Sequence, residues 1–115
     1  VTDCSWQFLM GEIIREKTIR LTRLELPYAV AVMVDSIEEG KKEDVTVIYA
    51  TLFVEKISQK KILVGQNGVM LKKIGSQARK EIEKRLGGQV YLNLHVKVKT
   101  NWRESDYYLK EFGYR

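Results

Sequence analysis

Gly65-Gln-Asn-Gly68, together with Lys60, Lys61, Lys72 and Lys73 around it, is the part of this 115-residue chain whose residue types and spacing could do chemistry. Glycines carry no Cβ, so a pair of them three residues apart permits a sharp turn and lets a foreign backbone approach closely. A helix beginning just after Gly68 would present unpaired backbone N–H groups and a positive dipole end to an anion. Lysines before and after the loop add mobile positive charge. The chemistry implied is the seating of a phosphate with no metal or cofactor in this chain.

Other constellations are excluded by their parts. His95 is the only histidine and Cys4 the only cysteine, so no zinc cluster can be assembled and a Cys–His nucleophile pair has no sequence support. A lone cysteine makes no intramolecular disulfide, which agrees with a reducing compartment. Carboxylates crowd into Glu38–Asp44 and onto helix faces, where solvation accounts for them. The glycine loop lacks the spacer and the Gly-Lys-Ser/Thr ending of a Walker A loop, and it lacks the Gly-x-Gly-x-x-Gly spacing of a dinucleotide site. No Gly-x-x-x-x-Gly-Lys-Ser/Thr occurs anywhere in the sequence.

Charge is distributed unevenly. Val1–Glu55 carries 6 basic and 10 acidic residues, Lys56–Arg103 carries 12 and 2, and Glu104–Arg115 carries 2 and 3. The net charge of +5 therefore comes entirely from the middle block. So one-sided a block marks an anionic partner, nucleic acid being the commonest. No run of apolar residues reaches the length needed to span a bilayer, and no signal peptide is recognisable. The first residue is Val1 rather than Met, which suggests excision from something longer.

The elements that must position the loop follow from periodicity. With Asp3 or Ser5 as cap, Trp6, Leu9, Met10, Ile13, Ile14, Leu21 and Leu24 recur at helical spacing, and Pro27 stops the helix after Leu26. Tyr28–Ile37 and Val45–Val54 read as two strands of a hairpin. Ser58–Val64 has room for about two helical turns before Gly65. Val69, Leu71, Ile74, Ala78, Ile82 and Leu86 then mark a long helix, closed by Gly87-Gly88. Val90, Leu92, Leu94, Val96 and Val98 alternate strictly with polar residues as a third strand. Asn101–Tyr114 reads as a short helix laying Trp102, Leu109 and Phe112 on the body. The fold class is α+β, three strands with the helices packed on one face.

Ile62-Leu-Val-Gly-Gln-Asn-Gly-Val-Met-Leu-Lys-Lys-Ile-Gly75 resembles the signature of the KH RNA-binding domain, in which a Gly-x-x-Gly loop joins two helices. The element order resembles the type II KH arrangement with its three-stranded mixed sheet. Five further segments look like the C-terminal KH domain of the Era GTPases: Glu12-Ile-Ile-Arg-Glu-Lys17, Glu25-Leu-Pro-Tyr-Ala-Val-Ala-Val32, Ser58–Gly65, Met70–Gly75 and Leu94-His-Val-Lys-Val-Lys99. Leu109-Lys-Glu-Phe-Gly-Tyr114 fits as well, so the likeness covers nearly the whole chain. By this resemblance residues 1–26 are the N-terminal helix and linker of the module and residues 27–115 the remainder of a single domain.

What the resemblance implies is a module that binds single-stranded small-subunit ribosomal RNA near its 3′ end during assembly of the small ribosomal subunit, in the bacterial cytoplasm or an organelle. GTP and magnesium would belong to a GTPase domain absent from this chain, which itself would not be an enzyme. RNA would cross the loop with its phosphates over Gly65, Gln66, Asn67 and Gly68. Leu63, Val64 and Leu71 would floor a groove for bases, and Asn93 would read base edges. Family members commonly carry a basic residue in the middle of the loop, whereas Gln66 and Asn67 are neutral, which shifts the electrostatic burden to the flanking lysines and implies weaker binding. The alternative is a protein-interaction module docking its own GTPase domain or another acidic partner.

Overall fold

The computed structural model describes residues 4–23, 30–42, 44–101 and 110–111. Helix α1 spans Cys4–Thr22, strands β1 and β2 span Ala31–Glu39 and Val45–Val54, helices α2 and α3 span Ile57–Val64 and Val69–Leu86, and β3 spans Gln89–Val98. The sheet order is β1-β2-β3. β1 and β2 pair antiparallel as a hairpin, and β2 and β3 pair parallel from Val45–Gln89 to Val54–Val98. The sheet is therefore mixed, as the element order requires.

One face of the sheet makes the core. Val32, Ile48, Ala50, Leu52, Val54 and Val90 meet Met10, Ile13 and Ile14 of α1, Leu63 of α2, and Ile74, Ala78 and Ile82 of α3. The alternation expected for β3 is observed: Val90 is buried, Leu92, Leu94, Val96 and Val98 are half-buried against the core, and Tyr91, Asn93, His95, Lys97 and Lys99 are exposed on the opposite face.

α1 differs from expectation in informative ways. It already runs at Cys4, so Ser5 is not its cap; Asp3 lies outside the described residues. It ends at Thr22, ahead of Pro27, and Arg23 takes a left-handed φ of 50°. Lys17 and Thr18 fill the gap in its apolar stripe between Ile14 and Leu21. Thr18 Oγ1 donates to the Ile14 carbonyl and Thr22 Oγ1 to the Thr18 carbonyl, each at 2.8 Å, so both hydroxyls are satisfied while buried. Lys17 Nζ donates to Glu81 Oε1 of α3 at 2.7 Å and to Glu16 Oε1 at 2.9 Å, tying the two long helices together.

β1 begins and ends later than the hairpin pattern implies. A bulge between Val34 and Ser36 leaves Asp35 without a partner in the ladder and shifts its alternation. Asp35 instead accepts a hydrogen bond from Thr51 Oγ1 at 2.7 Å. Of the expected closing helix only Lys110 and Glu111 are described, and both are helical; Trp102, Leu109 and Phe112 lie outside the described residues, as do Leu24, Leu26, Pro27 and Tyr28.

Candidate nucleic-acid interface

The loop is set by the two short-range stops on either side of it. α2 starts one residue earlier than expected, at Ile57, because Gln59 reaches back: its Oε1 accepts from the backbone N–H groups of Glu55 at 2.9 Å and Lys56 at 3.0 Å. Eight residues later Gly65 ends α2 with φ 75° and ψ 177°, a conformation for which glycine is nearly obligatory. A Cβ there would lie 2.8 Å from the Met70 nitrogen and 2.8 Å from its Cβ. Gly65 is thus fixed twice, by its dihedral and by the close approach of α3.

Gln66–Gly68 form one tight 3-10 turn in which Asn67 adopts a left-handed φ of 56°, acceptable for asparagine, and Gly68 follows at 78°. The Gly68 N–H donates to the Gly65 carbonyl at 3.3 Å, and the Val69 N–H donates to Gln66. The turn therefore consumes two of the donors that a bare helix start would offer. No side chain caps α3 and its first turn holds no acidic residue, so its dipole end is uncompensated by the protein. Around Gly68 a Cβ would meet nothing within 4 Å. Gly65 faces the protein; Gly68 faces open space.

Two hollows run along β3, the edge strand, on either side of this turn. One, of about 770 Å³, is lined by Ile57, Lys60, Lys61, Val64 and Gly65 from the α2 side and by Val96, Lys97 and Val98 of β3. The other, of about 510 Å³, is lined by Gly68, Leu71, Lys72, Gly75, Ser76 and Arg79 opposite Leu92, Asn93 and Leu94. Both are in the size range of clefts that seat small ligands. A hollow of about 700 Å³ between the hairpin turn and the α3–β3 turn mixes Lys41 and Lys42 with Glu39 and Asp44, and so has no bias toward an anion.

The structure brings together most of the residues singled out by sequence and separates others. Lys60, Lys61, Val64 and Gly65 share the first hollow; Gly68, Leu71, Lys72 and Asn93 share the second. Gln66 and Asn67 are exposed at the loop tip, and Lys73 is exposed but lines neither hollow. Leu63 is a correction: it is wholly buried in the core, so it supports the groove from beneath and cannot touch a base. Asn93 lines the rim of the second hollow while its side chain belongs to the exposed face of β3, the opposite face from Leu92 and Leu94.

Sequence reasoning missed the apolar walls contributed by Ile57, Val96 and Val98, and the small residues Gly75 and Ser76. Gly75 carries a readable signal, because Leu71, Gly75 and Arg79 fall at intervals of four on one face of α3. A Cβ at Gly75 would touch Leu94 Cδ1 at 3.6 Å, so a side chain larger than alanine would intrude on the hollow. Arg79 closes that hollow with its Nη1 bound to both carboxylate oxygens of Glu83 at 3.2 Å, while Glu83 Oε2 also accepts from the Val90 N–H at 2.9 Å.

Comparison with known proteins bears on this arrangement directly. The profile of the KH domain family matches residues 25–103, which include both hollows and the loop between them. This chain belongs to the KH domain family. Era from Aquifex aeolicus, solved as a variant bound to GDP·AlF4−, is 41% identical with a TM-score of 0.93, over 98% of this chain and 38% of that one. Era solved in complex with MgGDPNP and nucleotides 1506–1542 of 16S ribosomal RNA is 41% identical with a TM-score of 0.91, over 94% of this chain and 36% of that one. The likeness to the KH domain of the Era GTPases therefore holds at the level of sequence and fold, and this KH chain spans less than two-fifths of the Era chains it matches. Among the described residues no His, Cys, Asp and Glu cluster is placed to hold a metal, and no helix is long and apolar enough to cross a membrane.

Proposed function

We propose that this KH chain binds single-stranded RNA by passing the phosphate backbone over Gly68, with bases entering the hollows along β3. The observation that carries the reading is the asymmetry of the two glycines: Gly65 is packed against Met70, whereas the space beside Gly68 is empty at the head of an uncapped helix. Lys60 and Lys61 stand on one side of that space and Lys72 on the other. Val64, Val96 and Val98 offer apolar surface to unstacked bases, and the rim of β3 at Asn93 offers polar groups to their edges.

The RNA we assign is small-subunit ribosomal RNA near its 3′ end, in the setting of small-subunit assembly. The support is the 41% identity to an Era protein solved with nucleotides 1506–1542 of 16S ribosomal RNA. Nucleotide hydrolysis we assign to the portion of the Era chains that this one does not span, since its glycine loop has none of the residues that hold a nucleotide's magnesium.

The test is Gly68→Asp. Aspartate tolerates a left-handed φ and would meet no neighbour, so the fold should be retained while a carboxylate occupies the phosphate path. Fluorescence anisotropy with short single-stranded RNA should show binding lost, with the circular dichroism spectrum unchanged. A folded variant that binds RNA like the parent would sink this reading, and binding of an acidic protein in preference to RNA would replace it.

A further inference from the structure

The face of the sheet turned away from the helices is not used by the loop. Of the five large apolar side chains exposed in the described residues, two lie on this face: Tyr91 at 64% and Tyr49 at 37%. Tyr49 is directly paired with Asn93, so Tyr91 lies on the diagonal, one two-residue step along β3. The two residues are thus diagonal neighbours on one face of adjacent parallel strands. A tyrosine left nearly two-thirds in water forgoes most of the hydrophobic gain available to it, and two of them side by side form a stacking surface.

Charge is graded across that face. Beyond Tyr91 and Asn93, β3 continues outward with His95 and Lys97, both exposed, and Lys97 also lines the hollow beside α2. The acidic residues of this face lie on β1, the strand beside β2: Glu38 stands opposite Val47, one two-residue step from the position facing Tyr49, and Asp35 is bound to Thr51, so the positive side of the face is the β3 side. Among the described residues β3 is the sheet edge, and none of them forms a further strand between the hollows and the tyrosine face.

We infer that the Tyr49–Tyr91 face is a second binding surface for single-stranded RNA, on which bases stack after the strand leaves the loop hollows and passes around the β3 edge. Resting on the loop reading for its partner class, the assignment extends the bound strand beyond the roughly four nucleotides that a KH loop clamps. Aromatic rings at this spacing on a sheet accept bases without regard to sequence, because every base has a π-face. Lys97 neutralises phosphate at the crossing point.

The experiment compares mixed-sequence RNA of about five nucleotides, enough for the loop, with RNA of about twelve. In the 115-residue chain Tyr49→Ala with Tyr91→Ala should weaken the longer RNA about tenfold and leave the shorter within about twofold, whereas Tyr49→Phe with Tyr91→Phe should match the parent on both. An unchanged affinity for the longer RNA overturns the inference, as does equal weakening on both lengths or a tyrosine-dependent dimer of the free protein in sedimentation. Gly68→Asp reports separately on the loop, since its failure would show on the shorter RNA. Should the alanine pair not fold, photo-cross-linking of the parent to 4-thiouridine RNA decides: adducts on the Tyr91 peptide support the second surface, and adducts confined to the loop overturn it.

Discussion

Gly65 and Gly68 look equivalent in the sequence, three residues apart and both at positive φ, yet the structure gives them different duties. Gly65→Ala should cost about 1 to 3 kcal/mol, since alanine must adopt a strained dihedral and its Cβ would press on Met70 backbone at 2.8 Å. Gly68→Ala meets no neighbour and should cost about 1 kcal/mol, the conformational term alone. Urea denaturation of the two variants would check the order; equal losses would mean that α3 moves to accommodate Gly65→Ala. The neutral Gln66 and Asn67 are explained in part by the same geometry. Asn67 occupies a left-handed position that asparagine accepts more readily than lysine or arginine, so charge at that position would come at some conformational cost.

At the scale of elements, α1 and α3 are held together by apolar packing and by one ion pair. Glu81 has its pKa lowered, chiefly by the hydrogen bond from Lys17 and then by the charges of Lys17 and Arg85, while Lys17 has its pKa raised by its bonds to Glu81 and Glu16. The Glu81 contribution is present above the ordinary carboxylate range and is lost as pH falls through its lowered value. The Lys17 contribution is present below the ordinary lysine value and is lost as pH rises through its raised one. Glu81→Gln should therefore cost about 1 kcal/mol near pH 7, and the difference from the parent should shrink toward pH 3, measured as urea midpoints at both. Elements with an unbroken period were legible: β3, β2 and α3 lie within a residue of where alternation and helical spacing put them. β1 was not, because the bulge at Asp35 resets its alternation; α1 was legible as one helix, but the burial of Lys17 and Thr18 on its core face was not. In the candidate site, the place of the glycine loop was legible from residue type, and Lys60, Lys61 and Lys72 line the hollows beside it, whereas Lys73 lines neither. Leu63 was not, since Ile62, Leu63 and Val64 follow one another about 100° apart around α2 and only packing decides which of them turns inward.

Across the whole molecule, the basic middle block condenses into a cationic border along β3, with Lys60, Lys61 and Lys97 at one hollow and Lys72 at the other. If these four neutralise phosphates of a single strand, the logarithm of the binding constant should fall with the logarithm of salt concentration with a slope of about −3. Lys72→Ala should make that slope shallower by about 0.7, whereas Lys73→Ala, outside both hollows, should leave it nearly unchanged. Titrations at a series of potassium chloride concentrations would separate the two.

The parallel pairing of β2 with β3 carries a further consequence, for the order in which the molecule is made. Every partner in that ladder, from Val45–Gln89 to Val54–Val98, is forty-four positions away in sequence. The glycine turn and its two helices lie wholly inside this interval, and both hollows need β3 for one wall. Closing so long an interval is slow, because chain entropy must be spent before any contact rewards it. A chain emerging from synthesis can thus form its turn early yet own no groove until the last strand docks. RNA then selects finished molecules only, and by holding β3 against the helices it should slow their unfolding.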